Sequence, residues 1–377
     1  MRFMPLSFLS GGETLAVSIF NSNMQVLMTA GATLSEKNIN RIKQFGIQSV
    51  YIRDEEFLKD TIDPDSEPVK DIINPKVRQA SVYNIKKCIE TFDLKVKQQK
   101  KQLKYGDYGM YLAKDITSIS KSLIKEIMQS KNTDISMMAI KNVQDYYYEH
   151  SVNVAVLSVI IGLEMGLKIT ELENLSYGAL LADIGNHWLS TELLNSPNVF
   201  NAAEFNEIKR HPYLGYNYIN DNTTINAHIK NLILQHHERL DGSGYPKHLT
   251  SDDINPLSKI LMISDVYDAM TSDRSYRVAH SQIEAIEYLM ATASTLFDFE
   301  LTNIFVRKII PYPVGTYVLL SNGQRGVVLE NVPDYPLRPK VRIFSDSRTA
   351  SQHKFIVDLL ETNNITIKQV VYSISAK

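Results

Sequence analysis

The sequence predicts a mainly α protein: a helical bundle with a small α/β unit before it and a small β-rich appendix after it. Three observations carry this. Helical patterning runs from Pro75 to about Ile310, β-prone runs are confined to the two ends, and the hairpin signal Asn322-Gly323 sits between two of those runs. The 377 residues are 44% hydrophobic and 22% charged, the balance of a globular chain with room for more than one domain.

Residues 1–55 read as the α/β unit. LAVSIF and MQVLM are β-prone runs joined by the turn-rich FNSN. Ser35 is placed to cap a helix whose apolar positions Ile39, Ile42 and Phe45 share near-helical spacing; Gly46 stops it and IQSVYI follows as a strand. Residues 56–141 are a linker and helical connector. The acidic, proline-containing TIDPDSEPVKD leads into a helix from Pro75, and the lysine-rich KVKQQKKQLKYG reads as a solvated face. Residues 142–310 form the long helical region, which holds nearly all the histidines. Residues 311–377 are the appendix, with PYPVGTYVLLSNGQRGVVLENV as a hairpin and KVRIF and FIVDLL as further strands.

Composition narrows the function classes. Forty basic against 42 acidic residues leave a net charge of −2, so no bulk positive charge marks a DNA or RNA polymer or an anionic membrane as partner. The single cysteine, Cys88, can form no intrachain disulfide and suits a reducing, cytoplasmic location. The opening MRFMPLSFLSGGE is too short and poorly flanked for a signal peptide. The most apolar window, Val152 to Leu167, is interrupted by Asn153, Ser158 and Glu164 and falls short of the ~20 residues of a membrane span.

Six side chains stand out. His150 opens the apolar helix EHSVNVAVLSVIIGL, Asp183 lies in LLADIGN, His211 in KRHPYLGY, His236 and His237 in LQHHERLDGSGYP, and Asp265 in LMISDVYDAM. Each lies in or beside a hydrophobic segment, where an unpaired polar group is costly. Any one alone reads as a hydrogen-bonded core or surface residue. Six gathered at the ends of helices can share cations, because one carboxylate bridges two metals ~3.5–4 Å apart and the pair activates water for attack on phosphorus. Mixed His/Asp ligands suit Fe, Mn or Zn better than Ca.

The motifs YYYEHSVNVAVLS, GALLADIGN, RHPYLGY, HHERLDGSGYP and ISDVYDAMTSDRSYR, in this order, resemble the HD-GYP family, bacterial metal-dependent phosphodiesterases that hydrolyse cyclic di-GMP. The resemblance covers about Asp145 to Ile310. The N-terminal segment is similar to an accessory unit that often precedes the domain, and PVGTYVLLSNGQRGVVL to a β appendage that follows it in some members. The resemblance implies an HD-type helical bundle, divalent metal ions at two sites (Fe or Mn), cyclic di-GMP as partner, and a homodimer through the connector helix. It makes His150 the ligand at the helix start, Asp183 the bridging, catalytic aspartate, and His211, His236 and His237 the imidazoles of the second metal. Asp265 becomes the late aspartate ligand. Gly244, Tyr245 and Pro246 become the lip beside the substrate, and Arg274 and Arg277 the guanidiniums on its phosphates.

The departures are as informative. Ala182 stands where the family has the histidine of its HD pair, Asn186 where it has a lysine, and Tyr146 where members with three metals have a glutamate, so no third metal is expected. One metal position keeps Asp183, His211, His236 and His237. The other keeps His150, Asp183 and Asp265 but loses an imidazole, which weakens it and tilts it toward Mn or Mg. The missing lysine removes a positive charge near the phosphate. His187 would return an imidazole if an α-helix continued past Asp183, although a structural role is its default. Asp268 reads as orienting a neighbouring ligand, and Tyr276 as a second aromatic beside the substrate. Two readings follow. One is a cyclic di-GMP phosphodiesterase of reduced activity yielding pGpG and/or GMP. The other is an inactive receptor or interaction module in cyclic di-GMP signalling.

Overall fold

The computed structural model describes residues 2–21, 25–53, 72–99, 107–130, 135, 146–194, 196–273, 279–344 and 355–372. The chain divides into two units, one made of Met1–Ile72, Asp134–Gln144 and Val306–Lys377, the other of Ile73–Thr133 and Asp145–Phe305.

The first unit contains both chain ends. Strands β1 (Arg2–Pro5), β2 (Thr14–Leu15) and β5 (Ser49–Arg53) form an antiparallel sheet in the order β1-β5-β2, and β3 (Ile19–Phe20) pairs with β4 (Val26–Met28). Helix α1 (Glu36–Gln44) starts where the Ser35 hydroxyl accepts the Asn38 N–H at 3.2 Å and stops at Gly46, whose φ of +79° suits a residue without a Cβ. Its Ile39 and Ile42 join Met4, Leu6, Leu15, Val50 and Ile52 in one core. LAVSIF is not a single strand: the chain bends after Leu15, where the Ala16 N–H turns to the Tyr51 carbonyl, and resumes as β3. The C-terminal sheet is antiparallel in the order β10-β6-β7-β8-β9, built from β6 (Tyr317–Leu320), β7 (Arg325–Glu330), β8 (Lys340–Ile343), β9 (Ile356–Asp358) and β10 (Ile367–Val370). Gly323, at φ +85°, turns the hairpin. Tyr372, just after β10, packs on the N-terminal core and lies 4.6 Å from the ring of Phe8.

The second unit is helical: α2 (Pro75–Gln99), α3 (Asp107–Gln129), α4 (Tyr146–Glu164), α5 (Ile169–Leu181), a 3-10 turn (Ala182–Trp188), α6 (Thr191–Leu194), α7 (Ala202–Ile208), α8 (His211–Asn222), α9 (Ala227–Gln235), α10 (Pro256–Met270) and α11 (Gln282–Thr292). α12 (Phe299–Lys308) leads from this unit into the other. Every residue of α4 from His150 to Gly162 is buried, as befits an apolar helix enclosed on all sides by α2, α3, α5 and α10. That enclosure explains the apolar window of the sequence, and among the described residues no helix is long and apolar enough to cross a membrane. The acidic run before Ile72 and most of the lysine-rich run lie outside the described residues.

Candidate metal centre

The six residues singled out in the sequence come together in the helical unit. His150 lies near the start of α4, Asp183 in the 3-10 turn, His211 at the start of α8, His236 and His237 just past α9, and Asp265 in the second half of α10. Local chemistry sets each element. Asn226 caps α9 by accepting the Ile229 N–H at 3.0 Å, and Asn255 caps α10 by accepting the Leu257 N–H at 2.9 Å, with Pro256 in the first turn. The 3-10 turn approaches α8 so closely that a Cβ on Gly185 would lie 1.8 Å from the His211 carbonyl oxygen. Glycine at this position is what lets Asp183 reach His211.

The donor chemistry of the cluster is legible from its hydrogen bonds. Nδ1 of His211 lies 2.8 Å from the Ile208 carbonyl oxygen, and Nδ1 of His236 lies 2.8 Å from that of Ile233. A carbonyl only accepts, so each Nδ1 carries a proton and each Nε2 faces inward. The two Nε2 atoms are 3.1 Å apart, and Asp183 Oδ1 lies 3.1 Å from the first and 3.8 Å from the second. Two lone pairs and a carboxylate oxygen repel at such distances unless a cation stands among them: a proton in the metal-free protein, or a metal ion. The ligand atoms of Asp183, His211, His236 and His237 all lie within 4.8 Å of one another. Three imidazoles and a carboxylate fit a first-row divalent ion.

Charge states agree. Burial alone would raise the Asp183 pKa, but the neighbouring His211 and His236 hold it well below the carboxylate range. Burial, with His236 and His211 alongside, pushes His237 well below the usual imidazole value, leaving it neutral and able to ligate.

The other donors adjoin this group. Asp183 turns Oδ2 toward His150, 3.6 Å from its Nε2, while Oδ1 faces the histidine pair. Asp265 places Oδ1 3.0 Å from His150 Nε2 and Oδ2 3.4 Å from His237 Nδ1. Burial pulls the His150 pKa down, but hydrogen bonds to Asp265 and Asp268 outweigh it and raise the pKa to about 10. Asp268, read from the sequence as orienting a neighbouring ligand, lies beside His150: its Oδ2 accepts the His150 Nδ1 proton at 2.7 Å, and its Oδ1 accepts from Asn153 Nδ2 at 3.0 Å.

The substituted positions also have clear settings. Ala182 is buried, and its methyl group offers no ligand. The Asn186 carboxamide oxygen is buried with no hydrogen-bond partner among the described residues. His187 does not join the cluster; its Nε2 pairs with Asp93 Oδ2 at 3.1 Å. The reason is the 3-10 turn, whose ~3 residues per turn send position i+4 away from position i instead of above it. Tyr146 stacks on the His150 ring, with centroids 5.4 Å apart.

At the lip, the Tyr245 ring lies 4.7 Å from that of His237, and the Tyr245-Pro246 peptide is cis. Gly244 threads past the backbone of Glu238 and Arg239, where a Cβ would fall 2.3 Å from the Arg239 nitrogen. Glu238, which the sequence reading passed over, is fully buried and accepts the Lys247 N–H at 2.7 Å and the Leu249 N–H at 3.0 Å. The available signal was a carboxylate inside the HHERLDGSGYP block, which if buried must find donors. Arg274, Tyr276 and Arg277 lie outside the described residues.

Residues 129–301 match the family model for the HD domain, and residues 317–376 match that for the KOW domain associated with the HD domain. The chain is 34% identical over 237 residues to cyclic di-GMP phosphodiesterase PA4108 of Pseudomonas aeruginosa, covering 62% of this chain and 57% of that protein. It is 27% identical over 229 residues to cyclic di-GMP phosphodiesterase PdeB of Borreliella burgdorferi, covering 60% of each. It thus spans less than two thirds of the length of these relatives. Among solved structures it is similar to Bd1817, an HDG"Y"P protein from Bdellovibrio bacteriovorus, at 18% identity and a TM-score of 0.47, over 81% of this chain and 98% of that one. The matched motifs, the helical bundle and the His/Asp cluster agree: residues 129–301 match the HD domain, and residues 317–376 match the KOW domain associated with it.

Proposed function

We propose that this protein is a metal-dependent phosphodiesterase that hydrolyses cyclic di-GMP, with one of two metal positions weakened. The orientation of Asp183 carries the reading, one carboxylate oxygen toward His211 and His236 and the other toward His150. In this reading one ion would be held by Asp183, His211, His236 and His237 and the other by Asp183, His150 and Asp265, with Fe or Mn suited to the mixed donors. Divalent ions there would supply Lewis acidity toward a phosphoryl oxygen and a water nucleophile at neutral pH.

The chain's own residues do the positioning. The Ile208 and Ile233 carbonyls fix the tautomers of His211 and His236, and Asp268 fixes that of His150. Tyr245 walls the lip beside His237, and Arg274 and Arg277 are assigned to the substrate phosphates. Water oxygen adds to phosphorus and the ribose 3′ oxygen leaves with a proton, giving linear pGpG. A second hydrolysis gives GMP.

Ala182 favours a second reading, a receptor that binds the nucleotide without cleaving it, because a methyl group replaces a ligand on the His150 side. One experiment separates the two. Protein purified without oxygen is incubated with Mn²⁺ or Fe²⁺ and cyclic di-GMP, beside the Ala182→His variant, and products are resolved by chromatography. Cleavage by the wild-type chain, rising on the order of tenfold or more in the variant, is the expected result. Cleavage by the variant alone makes the wild type a receptor. Absence of cleavage in both overturns the enzyme reading.

A further inference from the structure

We propose that Arg78, on the helix preceding the matched HD domain, is a positioning residue that aims His150 at its ion. The inference rests on the two-ion reading above and extends it to a residue well before the domain match begins at 129.

Arg78 lies near the start of α2 and is 8% exposed. A guanidinium keeps its charge at any physiological pH, so a buried one must be used by its surroundings. One of its nitrogens donates to the Asn153 carboxamide oxygen. Because a guanidinium only donates, this contact decides which way the Asn153 amide faces: oxygen toward Arg78, nitrogen toward Asp268. The nitrogen then donates to Asp268 Oδ1 at 3.0 Å, and Asp268 Oδ2 accepts the His150 Nδ1 proton at 2.7 Å. The chain ends with His150 Nε2 aimed at Asp265 and Asp183, 3.0 and 3.6 Å away.

Sequence spacing ties the helices together. Asn153 lies one turn beyond His150 on α4, and Asp268 one turn beyond Asp265 on α10, so the guanidinium braces both ligand-bearing helices from a third. Without Arg78, the buried Asn153 carboxamide oxygen loses its charged donor, the amide is no longer held against Asp268, and the His150 ring loses that brace.

The role is one-sided. His211 and His236 are oriented by backbone carbonyls within or just before their own helices, which owe nothing to α2. Loss of Arg78 therefore weakens the ion on the His150 side and spares the other. A packing defect in α2 has no such asymmetry.

The test is calorimetric titration of Mn²⁺ into metal-free full-length protein. Arg78→Met is expected to weaken the weaker of two Mn²⁺ sites by about 10- to 100-fold and leave the tighter one unchanged. Arg78→Lys, which keeps one charged donor, recovers part of the loss. In an Asn153→Ala background Arg78→Met adds nothing further, since both cut one chain. Phe92→Leu, a packing change on the same helix, leaves both sites unchanged. Equal weakening of both sites by Arg78→Met, no weakening at all, or the same pattern from Phe92→Leu overturns the proposal. If Arg78→Met does not fold, Asn153→Ala decides, with the one-sided loss in support and its absence against. If the wild-type chain takes up a single ion, the two-ion reading falls. Arg78 is then judged by the His150 Nδ1 proton in ¹⁵N spectra of metal-free protein, whose loss in Arg78→Met supports the role and whose retention overturns it.

Discussion

His150 stands between opposing demands. Its neighbours Asp265 and Asp268 favour a proton on it, and its pKa in the metal-free protein rises to about 10, whereas ligation of an ion requires Nε2 bare. Between its ordinary value of 6.5 and about 10, the folded chain holds a proton that the unfolded chain has released. That contribution to stability is fully present below the first pH and is lost as the pH rises through the second. The Tm of metal-free protein is therefore expected to fall between pH 7 and pH 10, and His150→Gln, which cannot titrate, should flatten that slope. The same proton competes with metal. Mn²⁺ affinity on the His150 side should strengthen by about tenfold per pH unit across this range, with close to one proton released per ion, measured by titration in buffers of differing ionisation enthalpy. A pH-independent affinity would mean that His150 is not a ligand.

At the scale of elements, the site depends on close approaches that only glycine permits. The 3-10 turn presses against the first turn of α8 at Gly185, where a Cβ would overlap the His211 carbonyl oxygen. Gly185→Ala is expected to cost about 1–3 kcal/mol in chemical denaturation and to lower metal affinity, because turn and helix must separate and Asp183 moves with the turn. Gly215→Ala, where the nearest backbone atom is 3.1 Å away, should be milder on both measures. The lip has a different support. The buried Glu238 carboxylate holds the Lys247 and Leu249 amides, so Glu238→Gln, which offers one acceptor oxygen in place of two, should cost about 1–3 kcal/mol and raise KM more than it lowers kcat. An unchanged KM would show that the lip does not depend on this anchor.

At the scale of the whole molecule, some of this architecture was open to reading in one dimension and some was not. The convergence of Asp183, His211, His236 and His237 was legible because each sits in a motif that resembles one of the HD-GYP family, and the resemblance implies that they share a metal. Ser35, Gly46 and the Asn322-Gly323 hairpin were legible because their roles are local. Glu238 and Arg78 were not, since what defines them is a partner 9 to 75 residues away. β10 carries no apolar alternation, and His187 was ambiguous because nothing in ADIGNHW separates a 3-10 turn from an α-helix. The same distinction bears on where the functional unit begins. The match to the HD domain starts at residue 129, but α2 and α3 pack on α4, bringing Ile85, Phe92, Leu112, Ile116 and Leu123 into buried positions. At about 1.5–3 kcal/mol for each large apolar side chain buried, the loss of these helices is comparable with the 5–15 kcal/mol that holds an ordinary domain together. A fragment of residues 73–305 should therefore melt cooperatively and bind Mn²⁺ as the full chain does, while one of residues 129–301 should show no cooperative transition by calorimetry. Cooperative melting of the shorter fragment, with metal affinity retained, would remove α2 from the functional unit and Arg78 with it.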